Sequence, residues 1–215
     1  LSFVVLQSIN QNRTGISIGL TSSFERPIQT GNGGPMKQFI LTIATALVSF
    51  SAMAKEVTPM LIVEKASYQI GGLVAKSKID ASYLTDITTL TVTPVEKGFK
   101  VVLLSPSADQ NNPNSLEIPF DANGKAGTAS ANFVSKFPQG PIFNAANVAT
   151  LLDLGAEAIV DHLSASPDNI VVARTTQAVD LQKEATGVLM LVHLTDGRTY
   201  SIHMNANGKV LSQGF

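Results

Sequence analysis

The sequence predicts an α+β fold: an antiparallel sheet of short strands and hairpins with one main helix, about residues 145–163, packed on it. Three observations lead there. Apolar and polar side chains alternate with period two between turn signals rich in Asn and Gly. Residues 145–163 instead place Val148, Leu152, Ile159 and Leu163 at near-helical spacing behind Asn144, a suitable cap. Strands do not alternate with helices along the chain, which disfavours a doubly wound parallel sheet.

Taken in order, residues 60–64 and 68–74 read as strands separated by Lys65-Ala66-Ser67. The β-branched run 87–93 is a stronger strand, because branched side chains pack well on a pleated surface. Pro94 and Lys97-Gly98 interrupt it, and residues 99–104 return, giving a hairpin. Residues 105–115 form a polar loop. Residues 116–120 are a short strand that Pro119 confines to an edge or an irregular position. Residues 127–134 offer a weaker strand, and Pro138 and Pro141 bracket a turn. Gly155 can divide the helix, since glycine costs about 1 kcal/mol in a helix interior. Residues 164–167 end it, after which 170–175 and 177–181 read as strands. Residues 187–194 and 198–204 flank Thr195-Asp196-Gly197, a strong hairpin signal, and Val210-Leu211 start a final strand.

Two segments echo each other at an offset of 84: residues 116–125 end in Asp-Ala-Asn-Gly-Lys and residues 200–209 in Asn-Ala-Asn-Gly-Lys. Either a hairpin unit is duplicated, with both turns on one rim of the sheet, or good turn sequences recur independently.

The amino-terminal region is of another kind. Met36-Lys37-Gln38, the apolar run 39–50 and the small-residue ending Ala52-Met53-Ala54 form a secretory signal peptide pattern over residues 36–54. The run is too short to span a bilayer comfortably. Translation is expected to start at Met36, with residues 1–35 a doubtful leader from an over-extended gene start. The mature chain is then residues 55–215, one β-rich domain in the periplasm or secreted. It holds 161 of the 215 residues, with twelve basic and fifteen acidic side chains and hence a charge of −3. No further apolar segment is long enough for an integral span.

Composition excludes several classes of function. With no cysteine there are no disulfides, thiolate nucleophiles or cysteine-held metals. Near-neutral charge removes the case for a nucleic-acid partner. No P-loop, dinucleotide fingerprint, Gly-x-Ser-x-Gly elbow or His-Glu-x-x-His occurs, and the sequence calls for no cofactor and no metal. The oxygen-rich stretch 109–114 lacks the glycine and late acid of an EF-hand loop and reads as polar surface. Asp80 and Asp86 read as solvated loop acids.

The histidines are the remaining candidates. Pairing His193 with Tyr200 and His203 with Met190 places the two imidazoles on opposite faces, His193 in an apolar layer and His203 on a groove-lining face. His162 sits near the helix end, where it can cap. The leading reading is a small exported non-enzymatic protein that binds another protein or an extracellular ligand. It would bind through a rim of Tyr200, His203, Asn205, Asn207, Asp121 and Asn123, with no catalytic residue assigned. The alternatives are a hydrolase with His203 or His162 as base, or a structural envelope component joined through a sheet edge.

Overall fold

A computed structural model describes residues 56–86, 88–136 and 143–215. The leader, the signal-peptide pattern and the turn at Pro138 and Pro141 lie outside them. The described chain is an eight-stranded antiparallel sheet with helices packed against it, which is the α+β class predicted.

It opens with α1 (Pro59–Ala75), not with the two strands expected over 60–64 and 68–74. Thr58 is the N-cap, its hydroxyl accepting from the Leu61 amide at 3.3 Å, and Pro59 supplies a preset first turn. Apparent alternation at Met60, Ile62 and Glu64 belongs to a longer helical pattern, in which Ile62, Ala66 and Ile70 are all buried. Lys65-Ala66-Ser67, expected to separate two strands, lies inside this helix.

Strands β1 (Thr88–Val95), β2 (Gly98–Ser105), β3 (Asn114–Asp121) and the short β4 (Ser130–Asn132) follow as a meander. Pro119 sits on the part of β3 that runs beyond its pairing with β4, so its missing amide costs no strand-to-strand bond there. Helix α2 (Ala145–Val160) is the helix the sequence announced, capped by the Asn144 side chain, which accepts from the Asn147 amide at 3.0 Å. Gly155 does not divide it. A Cβ there would run into Met190 Sδ, so the missing side chain lets α2 lie close on the sheet.

Residues 170–175, expected as a strand, belong to α3 (Pro167–Thr175). Ser166-Pro167 starts this helix as well as stopping the chain before it: the Ser166 hydroxyl accepts from the Asp168 amide at 3.1 Å. Strands β5 (Thr176–Lys183), β6 (Gly187–Leu194), β7 (Thr199–Asn205) and β8 (Val210–Gly214) complete the sheet.

Strand order is β4-β3-β2-β1-β5-β6-β7-β8, so each half is one or two helices followed by a four-stranded meander, joined where β1 pairs with β5. The halves are related by an approximate twofold axis through that antiparallel seam. Their details repeat. Asp121 Oδ1 accepts from the amides of Asn123 and Lys125, both at 2.9 Å, and Asn205 Oδ1 accepts from those of Asn207 and Lys209 at 2.9 and 3.0 Å. Gly124 and Gly208 close the two turns at φ 69° and 79°, where glycine carries no steric penalty. Gly98 and Gly187, which open β2 and β6, each lie where a Cβ would collide with the backbone of the next strand, at Phe120 and Met204 respectively. The twofold axis has a consequence for the rim. It sends the β3–β4 turn to one end of the sheet and the β7–β8 turn to the other, so the expectation of both on one rim is overturned.

One core fills the space between helices and sheet, including Met60, Ile62, Leu90, Leu103, Ile118, Leu152, Leu181 and Met190. Strands β1–β3 and β5–β7 contribute alternate side chains to it, and β8 adds only the partly buried Val210. The intervening ones face the other way.

Candidate functional site

The face of the sheet turned away from the helices carries the candidate site. Across it the pairings align two rows of side chains. One runs Glu117, Val102, Thr91, Ala178, His193, Thr199, and the next Ser115, Leu104, Thr89, Asp180, Leu191, Ser201. Val102, Leu104, Ala178, Leu189 and Leu191 are half-buried and stand outside the core cluster. Leu189 lies opposite His203 in a third row. The surface is thus a mixture of aliphatic and hydroxyl groups, with charge only at particular points.

Both histidines of the terminal hairpin lie on this face, contrary to the expected opposite placement. The cause is the loop. Leu194 N donates to Arg198 O at 2.9 Å, leaving the three residues Thr195-Asp196-Gly197 outside the ladder, with Gly197 at φ 86°. A three-residue loop with a left-handed glycine shifts the register by one relative to a two- or four-residue loop, and a one-residue shift exchanges faces. His193 therefore pairs with Thr199 rather than Tyr200, and His203 with Leu189 rather than Met190.

Each imidazole has a carboxylate partner. His193 Nε2 lies 2.9 Å from Asp180 Oδ2, and its Nδ1 lies 3.2 Å from Thr199 Oγ1. An ionised carboxylate only accepts, so Nε2 carries the proton, and Nδ1 of the neutral ring accepts from the Thr199 hydroxyl. His203 Nδ1 lies 3.4 Å from Glu184 Oε2. Asp–His–Thr is the connectivity of an activated hydroxyl, but here it lies on an open sheet. The grooves of about 440 and 420 Å³ beside α2 and beside residues 105–113 include none of the three residues. Catalytic hydroxyls work in enclosed, preorganised sites, whereas these three side chains stand on an open strand surface.

The expected rim is dispersed. Tyr200 is 3% exposed on the helix side of the sheet, packed edge-on against Phe215 with centroids 5.1 Å apart. Burial, then the nearby charge of Asp168, raises its phenol pKa. Asn205 and Asp121 spend their side-chain oxygens on their own turns. Asn207 and Asn123 are exposed in turns at opposite ends of the sheet; His203 lies within β7 on the uncovered face, and Asp121 and Asn205 end β3 and β7 on that same side. His162 is exposed beyond α2, its carbonyl accepting from Asn169 Nδ2 at 2.9 Å. In the oxygen-rich loop, Asp109 Oδ1 accepts from the Asn111 amide at 3.1 Å, an internal turn contact. Among the described residues, no group of three or more His, Asp or Glu side chains is placed to hold a metal ion.

Sequence reading missed two features. The first is a clasp that joins residues 80–83 to residues 133–136. Tyr83 stacks on Phe133 with centroids 4.9 Å apart, and Lys136 reaches Asp80 at 2.8 Å, holding that carboxyl well below its usual range. Fully buried Asn114 anchors the segment. Its Nδ2 donates to Pro106 O and Ser135 O, and its Oδ1 accepts from the Val134 and Ser135 amides. The second is the groove of about 440 Å³ between α2 and the β5–β6 and β7–β8 turns, with Phe143, Leu151 and Val188 among its apolar walls.

No family model matches the chain, and no curated protein matches it. Among solved structures, a "putative lipoprotein" of Clostridium difficile 630 is similar over 69% of this chain and 90% of its own, at 15% identity and a TM-score of 0.29. Similarity of that size is too slight to transfer a fold or a function. No helix among the described residues is long and apolar enough to cross a membrane.

Proposed function

We propose that this is an exported, non-enzymatic binding protein whose uncovered sheet face receives a protein or another extracellular ligand. The observation that carries the reading is the segregation of the sheet. One face is sealed by three helices over a single core, and the other presents Val102, Leu104, Leu189 and Leu191 between Thr, Ser and two His–carboxylate pairs. Aliphatic centres with polar, hydrogen-bonded surroundings are the composition of recognition surfaces. Export is supported by the tripartite pattern at residues 36–54.

The test compares chemically cross-linked material from cells exporting the tagged wild type or a Leu191→Asp variant, which puts a charge in the middle of the face. A discrete adduct formed by the wild type and lost in the folded variant supports the reading. An adduct that persists unchanged in Leu191→Asp rejects the face as the binding surface.

A further inference from the structure

We infer that the groove between α2 and the β5–β6 and β7–β8 turns binds an alkylammonium group. The repeated architecture supplies the argument. Counting from the helix caps Thr58 and Asn144, Lys65 of α1 occupies the position of Leu151 in α2. In the amino-terminal half the Lys65 side chain runs from its helix to the β3–β4 turn, where Nζ donates to Gly124 O at 3.0 Å. The molecule thus fills this place with its own four-methylene stem and ammonium.

In the carboxyl-terminal half Leu151 is shorter and has nothing to donate, so the equivalent Gly208 carbonyl receives no such bond. The β5–β6 connection also has three residues, Glu184-Ala185-Thr186, where β1–β2 has only Glu96-Lys97. A shorter plug and a longer turn leave the groove of about 440 Å³, lined by Leu151 and Gly208 together. Such a volume is in the ordinary range for small-ligand sites, roughly 300–1,000 Å³.

Its chemistry suits the group that is missing. Phe143, Leu151 and Val188 offer apolar wall to a methylene chain, and the Gly208 turn and the Glu184 carboxylate offer acceptors to an ammonium. Lys183, also on the wall, is the opposing charge and sets the competing expectation of an anion. The ammonium can come from a free alkylamine or from a lysine side chain of another protein. Glu184 is shared with the uncovered sheet face, where its Oε2 lies 3.4 Å from His203 Nδ1, but the assignment does not depend on that face binding anything.

The test follows backbone amide signals of Leu151 and Gly208 by NMR in the purified protein as n-pentylamine, pentanoate or a short lysine-containing peptide is added. The amine is expected to shift both signals saturably and to bind at least about tenfold more tightly than pentanoate. Peptide binding as tight as the amine's assigns the source to a protein lysine, and binding of the free amine alone assigns it to a small molecule. Leu151→Lys, which copies the amino-terminal half, is expected to weaken amine binding by about tenfold or more. Should that variant fail to fold, Glu184→Gln is expected to weaken it several-fold in a folded protein. Tighter binding of pentanoate, absence of any shift in millimolar amine, or amine binding unchanged in the folded variants overturns the assignment.

Discussion

The two halves of the sheet share a framework and differ in what they leave accessible. Turns, glycine contacts and strand order repeat across the β1–β5 seam. Yet one half plugs its helix–turn groove with Lys65, and the other leaves the groove open beside Leu151. On the uncovered face the amino-terminal half carries one loose pair, Lys100 and Glu117 at 3.8 Å, while the carboxyl-terminal half carries Asp180–His193 and Glu184–His203. Specific chemistry is concentrated in the second copy.

The most severe test of the shared framework is to add one methyl group at equivalent places. Gly98→Ala and Gly187→Ala each drive a Cβ into a neighbouring strand's backbone, and each is expected to cost about 3 kcal/mol in denaturant unfolding. Gly98, at φ 142°, should be the worse of the two. A neutral result at either glycine breaks the equivalence.

A smaller effect should expose a difference. Asn114 holds residues 134 and 135 against β3 with both ends of its amide, and Asn114→Ala is expected to cost about 2 kcal/mol. Hydrogen exchange should then rise around residues 133–136 and stay unchanged at the β7–β8 turn.

Turn substitutions come next. Asp121→Ala and Asn205→Ala each remove two side-chain bonds to the same two turn amides, and the pair should lose about 1 kcal/mol apiece, equal within error. A loss at one turn alone would show that the matching geometry carries unequal energy.

The smallest effect concerns the contact between the two long helices. Asp153 of α2 lies 3.3 Å from Ser67 Oγ of α1, and partial burial raises its carboxyl pKa, outweighing the bonds from Tyr68 and Ser67 that lower it. A carboxyl with a raised folded pKa binds its proton more tightly in the native state. Stability therefore falls as pH rises from the ordinary carboxylate range through the folded value. Asp153→Asn should flatten that part of the stability–pH curve, and a curve as steep as the wild type's would contradict the assignment.

Much of this fold is legible in the amino-acid sequence, for identifiable reasons. The terminal hairpin, the 145–163 helix and the echoed turns rest on local chemistry: caps, left-handed glycines and period. The first helix was obscured because Met60, Ile62 and Glu64 alternate locally, and Thr58-Pro59 was the overlooked start. Ser166-Pro167 misled in the same way, since a proline that stops one helix can open the next. Faces were lost to a single residue of loop length at Asp196-Gly197, which moved His203 relative to His193. The groove was illegible for a different reason. Its meaning depends on matching Lys65 to Leu151, and that correspondence is a property of the paired halves in space.

The uncovered face is the centre of the functional account, and a photo-activated cross-linking residue placed along it tests that most directly. The probe would replace Val102 in one half, Leu191 in the other and, as a control on the helix side, Tyr68, which is 58% exposed. The account predicts a discrete adduct from the sheet positions in exporting cells, strongest at Leu191, and none from Tyr68. Adducts from Tyr68 with none from either sheet position would contradict it.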